Sequence, residues 1–178
     1  MKIMIKNLNK ELLNDLRSDH AGEVGAVWIY RGILTVSKDP KVRDFAMRHI
    51  ATEKEHLNKI NSIFPKLEQS KLVPIWKVAG FLTGALPSLV NSKAVYATIE
   101  AVETFVDKHY QEQIEKLKDK PENSDLLNIL KKCQEDECEH RDEAASHYTN
   151  SSNSIPLNIW CMLVEKGSSL AVKMAKII

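Results

Sequence analysis

The stretches EKEH at Glu53–His56 and ECEH at Glu137–His140 decide the fold, because each writes Glu-x-x-His into a segment with helical character. At about 3.6 residues per turn, a spacing of three puts both side chains on one helix face, roughly 4.5 Å apart along the axis. One helix can then offer a carboxylate and an imidazole to the same cation. Working outward, each motif is preceded by a segment with one further glutamate: Glu23 stands 30 residues before Glu53, and Glu103 stands 34 before Glu137. A tyrosine follows each by seven residues, Tyr30 after Glu23 and Tyr110 after Glu103, which keeps each pair on one helical stripe. The two halves of the chain therefore read alike, with a Glu and Tyr on a first helix and Glu-x-x-His on a second.

A single Glu-x-x-His carries little weight in a chain that is 28% charged with six histidines, since a solvated helix face makes such pairs by accident. Two copies in matching places of a repeated helix pair do not arise so easily. Ala21, Gly22, Gly25 and Ala26 surround Glu23, and Ala97, Ala101 and Val102 precede Glu103. Such small and apolar neighbours place these glutamates in a packed interior, where an unpaired carboxylate is expensive. Glu23, Glu53, Glu103 and Glu137 bring four negative charges, and His56 and His140 bind as neutral imidazoles, so two divalent cations cancel the set. A carboxylate-rich donor set without thiolate suits iron or manganese better than structural zinc. The expected architecture is all-α: a ferritin-like four-helix bundle closed around two iron ions.

The remaining composition bounds the reading. A chain of 178 residues is long enough for one well-buried core, and residues 1–178 are expected to form a single domain. A formal net charge of +1 and a pI near 7.7 give no electrostatic case for a nucleic-acid partner. Cys133, Cys138 and Cys161 are odd in number and form no C-x-x-C pair, so they read as reduced packing thiols. Met1–Lys10 mixes basic and apolar residues without a sustained apolar run, so no secretory signal is expected. No uninterrupted apolar stretch is long enough for a spanning helix.

Periodicity and punctuation predict the elements. A first helix runs from about Asn9 to Val36 and stops before Asp39-Pro40, an N-cap and first-turn proline for the second, which ends near Ile63. A third spans about Lys93–Lys118; turn chemistry at Lys120–Ser124 follows, with Ser124 or Asp125 as cap of a fourth that reaches about Tyr148. Two segments exceed a four-helix bundle: Leu72–Val90 and Ile155–Ile178, the latter capped by Ser154. Both are too interrupted to cross a bilayer but apolar enough to form additional membrane-contacting helices. Trp76 and Trp160 would sit at the headgroup level, with Lys77, Lys166, Lys173 and Lys176 reaching toward phosphates. The competing expectation is that they cover the bundle or a dimer interface.

RSDHAGEVGAVWIYRG at Arg17–Gly32, EKEHL at Glu53–Leu57, AVETFVDKHYQEQI at Ala101–Ile114 and EDECEHRDEA at Glu135–Ala144 together resemble the demethoxyubiquinone hydroxylase family of ubiquinone biosynthesis. The resemblance runs from about Leu16 to the end of the chain and includes GFLTGAL at Gly80–Leu86. It implies Glu23, Glu53, His56, Glu103, Glu137 and His140 as the metal ligands, with Glu53 and Glu137 bridging two iron ions. Glu103 rather than Glu100 fits the family pattern, while Glu55 and Glu139 point elsewhere on their helices. Val24 stands where the family often has a larger residue. The implied reaction is a di-iron monooxygenase hydroxylation of a methoxy-benzoquinone with a polyprenyl tail, using dioxygen and electrons from NADH. A peripheral membrane location is implied, on the cytoplasmic face of the inner membrane in a bacterium or the matrix face in a mitochondrion. A lipid-binding helper protein and a homo-oligomer stay open as partners.

Tyr30 and Tyr110, on the glutamate stripes, are the candidate catalytic side chains, able to donate hydrogen bonds to ligands or bound oxygen; the plainer reading makes them ordinary core tyrosines. His109 and His147 read as surface groups, and His20 and His49 carry no stronger claim. A ferritin-like iron oxidase or store, a metal-free scaffold and a tRNA-hydroxylating di-iron enzyme are the alternatives. The first needs a large shell and the last a basic patch the sequence does not have.

Overall fold

Asn9 opens the first helix by accepting a hydrogen bond on its side chain from the Leu12 amide at 2.9 Å, so an orphan donor of the first turn is satisfied. In the computed structural model, which describes residues 9–148 and 154–178, six α-helices follow one another. They are α1 (Lys10–Val36), α2 (Pro40–Ile63), α3 (Val73–Ser88), α4 (Ser92–Leu117), α5 (Ser124–Ser146) and α6 (Ile155–Ile177). No strand occurs among the described residues. Positions 1–8, where no secretory signal was expected, lie outside them.

The predicted punctuation holds at most helix ends. Asp39 caps α2 through the Lys41 amide with Pro40 in the first turn, and Ser154 caps α6 through Leu157; at α4, where no cap was predicted and the start was expected near Lys93, Asn91 caps through Ala94. The start of α5 differs from expectation. Neither Ser124 nor Asp125 caps it, because Pro121–Asn123 winds into a short 3-10 turn and Asn123 takes the cap position without a side-chain bond.

Helices α1, α2, α4 and α5 form a bundle, α1 packing on α2, α4 on α5 and α2 on α5. The core has two apolar layers. Phe45, Tyr96, Ile33 and Ile99 belong to one, and Leu16, Ile60, Leu126 and Leu130 to the other. Glu23, Glu53, Glu103 and Glu137 are buried with them. Helix α3 lies on α1, and α6 on both α1 and α4. The α1–α3 contact is made backbone to backbone: a Cβ added at Gly80 would strike the Gly25 carbonyl, and one at Gly84 the Ile29 carbonyl. Small residues one turn apart thus let the two helices approach closely.

The two apolar segments are therefore helices, and no helix among the described residues is long and apolar enough to cross a membrane. Their tryptophans do not take the expected headgroup position. Trp76 is buried and donates to the Ser70 hydroxyl, and half-buried Trp160 donates to Thr98 Oγ1 at 2.8 Å. Each indole finds its polar partner inside the protein, which removes the reason for its N–H to seek an interface. The outward faces are aliphatic instead: Ile75, Val78 and Leu82 on α3, and Ile159, Leu163 and Leu170 on α6 are all exposed.

Candidate metal centre

Each of the four bundle helices delivers its acid to one level. Glu23 comes from α1, Glu53 and His56 from α2, Glu103 from α4, and Glu137 and His140 from α5, and all six are buried. Their ligand atoms form two groups, each within 4.8 Å: Glu23, Glu53, His56 and Glu137, and Glu53, Glu103, Glu137 and His140. Glu53 and Glu137 belong to both groups. All six residues named from the sequence are brought together. Glu55 and Glu139 are exposed, and half-buried Glu100 stays outside both groups.

The contacts run across the internal repeat. His56 Nδ1 lies 3.0 Å from Glu137 Oε1, and His140 Nδ1 lies 3.1 Å from Glu53 Oε1, so each imidazole meets the shared carboxylate of the other half. The tyrosines cross in the same way: Tyr30 donates to Glu103 at 3.4 Å and Tyr110 donates to Glu23. They are core tyrosines by burial, but their hydroxyls are spent on the acid cluster.

The electrostatics are compatible with a cation site. Glu23 Oε2, both Glu53 oxygens, Glu137 Oε2 and His140 Nδ1 are buried without a hydrogen-bond partner in the protein. Such orphaned atoms are costly unless an ion completes them. Burial, then repulsion from Glu137, pushes the Glu53 and Glu103 carboxyls well above the ordinary range; burial also raises Glu23. Burial raises Glu137 too, but the imidazoles of His140, 3.2 Å away, and of His56 outweigh it and hold that carboxyl down at about 2. For His56 burial acts downward, and its bond to Glu137 together with the surrounding carboxylates carries it up to about 10. The protein alone neutralises the cluster with protons; two divalent ions would take their place.

Several supporting residues escaped the sequence reading. Asp136 holds His56 Nε2 at 3.0 Å and is itself paired with Lys132 at 2.9 Å, which fixes the ring so that Nδ1 faces the acids. His49 packs its ring 4.0 Å from that of His140 and contacts Glu143 at 2.9 Å, and Glu143 is clamped by both terminal nitrogens of Arg48. Burial and the neighbouring His140 keep His49 neutral, lowered to about 4. His109 is not a surface group either: it is buried among Ser18, Asp19 and Gln113, at 3.1 Å from the Asp19 carboxylate and from Gln113. His20 is buried as well, whereas His147 is exposed as expected. A signal for some of these existed. His49 stands one turn before Glu53, Asp19 one turn before Glu23 and Gln113 one turn after His109, on the same stripes. Asp136 had none, because its partner comes from another helix.

A cavity of about 360 Å³ opens onto the acids between α1, α3, α4 and α6. It is lined by Glu23, Glu53, Glu103 and Glu137 but by neither His56 nor His140. The imidazoles therefore close the α2–α5 side, and the carboxylates face a space walled by Ala26, Ile29, Val102, Phe105 and Val106.

Residues 10–175 match the family model described as "Ubiquinone biosynthesis protein COQ7". The chain belongs to this family. A relative named "NADPH-dependent 3-demethoxyubiquinone 3-hydroxylase, mitochondrial" in Bos taurus is 34% identical over 148 residues, covering 80% of this chain and 68% of that protein. Its namesake in Rattus norvegicus is 30% identical over 177 residues, covering 97% and 81%. The "3-demethoxyubiquinol 3-hydroxylase" of Rhodospirillum rubrum is 33% identical over 161 residues, covering 88% and 74%. The family expected from the sequence blocks is thus the one found. The mammalian relatives are named for NADPH, where the sequence reading expects NADH.

Proposed function

We propose that this chain is a di-iron monooxygenase that hydroxylates a demethoxyubiquinone-type quinone, working as one ferritin-like domain over residues 1–178 at a membrane surface. The observation that carries the reading is the cavity that meets four glutamates and no imidazole, in a chain of the COQ7 family. The residues fit an iron pair. Orphaned oxygens converge from four helices, the donor set is hard and rich in carboxylate, and its formal charge of four balances two divalent ions. Glu23, Glu53, His56, Glu103, Glu137 and His140 would hold them, with Glu53 and Glu137 shared. When bound and reduced, the iron pair supplies the two electrons and the oxygen-activating chemistry that ring hydroxylation needs.

The chain's own residues do the rest. Tyr30 and Tyr110 position Glu103 and Glu23, the two unshared carboxylates at the cavity wall, by donating to them. Asp136 fixes His56, and the apolar walls exclude water from the space where the quinone head sits. Exposed aliphatic faces on α3 and α6, with Lys77, Lys166 and Lys173 also exposed, suit a helix pair lying on a lipid surface. That location is the cytoplasmic face of the inner membrane in a bacterium or the matrix face in a mitochondrion. Electrons come from a reduced nicotinamide nucleotide, and turnover with NADH against NADPH decides which.

The reading is tested by incubating reduced, iron-loaded protein with a demethoxyquinone and isotopically labelled dioxygen. Label in the product ring hydroxyl is the expected result. Unlabelled product, or iron oxidised with no product formed, would overturn the assignment.

A further inference from the structure

The two halves of the bundle supply matching donor sets. Three carboxylates and one imidazole make up each group, and each unshared carboxylate accepts from a tyrosine of the other half. The match breaks at the residue directly before each Glu-x-x-His: Asp136 precedes Glu137, but Thr52 precedes Glu53. From α5, Asp136 reaches across to His56 on α2, with Oδ2 3.0 Å from Nε2, and Lys132 holds its other oxygen at 2.9 Å. By the same register, Thr52 on α2 stands where an anchor for His140 on α5 belongs, and it has no charge to offer. Among the described residues, the ion-pair contacts of His140 run to Glu53 and Glu137 alone, both members of its own donor group. What flanks its ring is His49, 4.0 Å away, whose Nε2 is turned to Glu143 at 2.9 Å. Arg48 takes up the Glu143 charge through contacts of 2.6 and 3.0 Å. One imidazole is thus backed by a carboxylate and the other by a ring.

Resting on the two-ion reading above, we propose that the two cation positions are unequal. The position with His56 fills first and holds its ion more tightly; the position with His140 fills second and exchanges. The cause is Asp136 against Thr52. A carboxylate on the far nitrogen of a ligating imidazole fixes the ring and makes its near nitrogen a stronger donor, an effect worth about 10–100-fold in metal affinity. The donors themselves are alike in kind in the two groups, so it is their supports that differ. Ring hydroxylation draws two electrons from the pair, so a chain filled only at the first position is inert. Supply of iron to the His140 position then sets how much of the protein is competent.

The test is titration of the metal-free full chain with Mn²⁺, read by electron paramagnetic resonance and by competition with a chelator. The first equivalent should give an isolated bound ion, and the spin-coupled pair should grow in only with the second. Two cations repel each other in any paired site, so the variants carry the decision. Asp136→Asn should weaken the first step about 10–100-fold and leave the second little changed. Thr52→Asp, which supplies the missing anchor, should strengthen the second step about tenfold or more and leave the first in place. His140→Ala should keep the first step, and His56→Ala should lose it. A tight step that survives His56→Ala, equal weakening of both steps by Asp136→Asn, or a second step unmoved by Thr52→Asp overturns the proposal. Should Thr52→Asp not fold, Asp136→Asn and the two histidine variants decide the matter. Two equally tight ions in the unaltered protein would sink the inequality and leave the metal centre standing; no bound Mn²⁺ at all would sink both.

Discussion

Metal-free protein is expected to lose stability as the pH rises from about 6.5 to about 8.5, the reverse of what simple acid denaturation would suggest. Burial and then the Glu137 carboxylate keep protons on Glu53 and Glu103 well above the ordinary carboxyl range, while the same residues ionise near 4.5 when unfolded. His56 adds to this: Glu137 and the surrounding charges overcome burial and carry it to about 10, against 6.5 unfolded. In this window the folded state therefore binds more protons than the unfolded state, and stability must fall as pH rises. Each retained proton contributes a slope of about 1.4 kcal/mol per pH unit. One such proton, the smallest count, means about 3 kcal/mol across the window, or roughly 6–12 °C in Tm for a chain of this length. Glu137, held at about 2, is ionised in both states here and adds nothing. His49 works the other way, but between its folded value of about 4 and the unfolded 6.5, below the window. The assay is thermal unfolding of chelator-treated protein by circular dichroism at constant ionic strength, then the same series with saturating Mn²⁺. Because the ligands must shed protons to bind a cation, the loaded protein should gain stability over the same range. A flat or rising Tm in the metal-free series would refute the reasoning, since the cluster would then not be storing protons in place of cations.

Glu137→Ala removes a carboxylate shared by both donor groups, so metal analysis should show loss of both ions and turnover should vanish; retained turnover would reject the site. Asp136→Asn should leave the fold intact while weakening metal affinity about 10–100-fold, because His56 loses its charged anchor. That loss is read by competition with a chelator, and unchanged affinity would show that Asp136 does not position the ring. Gly84→Ala should destabilise by about 1–3 kcal/mol even though alanine favours helices, because the new Cβ meets the Ile29 carbonyl. Gly167→Ala, with nothing within 4 Å, should instead stabilise by up to about 1 kcal/mol. Equal signs in the two melts would contradict the close α1–α3 approach.

The sequence by itself determined the helices and the identity of the metal-centre candidates. Glu-x-x-His and Glu followed by Tyr at seven residues are local patterns, and helical geometry alone converts them into shared faces. Asn9, Asp39-Pro40 and Ser154 likewise announce their helix starts through chemistry within three residues. Tertiary structure decided what depends on partners far away in the chain. The crossing of Tyr30 to Glu103 and of Tyr110 to Glu23, the anchoring of His56 by Asp136, and the burial of His109 against Asp19 all join residues of different helices. The same holds for the apolar segments. Hydropathy marked Trp76 and Trp160 as interfacial residues, but Ser70 and Thr98 satisfy their N–H groups within the protein. Periodicity fixes which side of a helix a residue occupies; only packing fixes what that side meets.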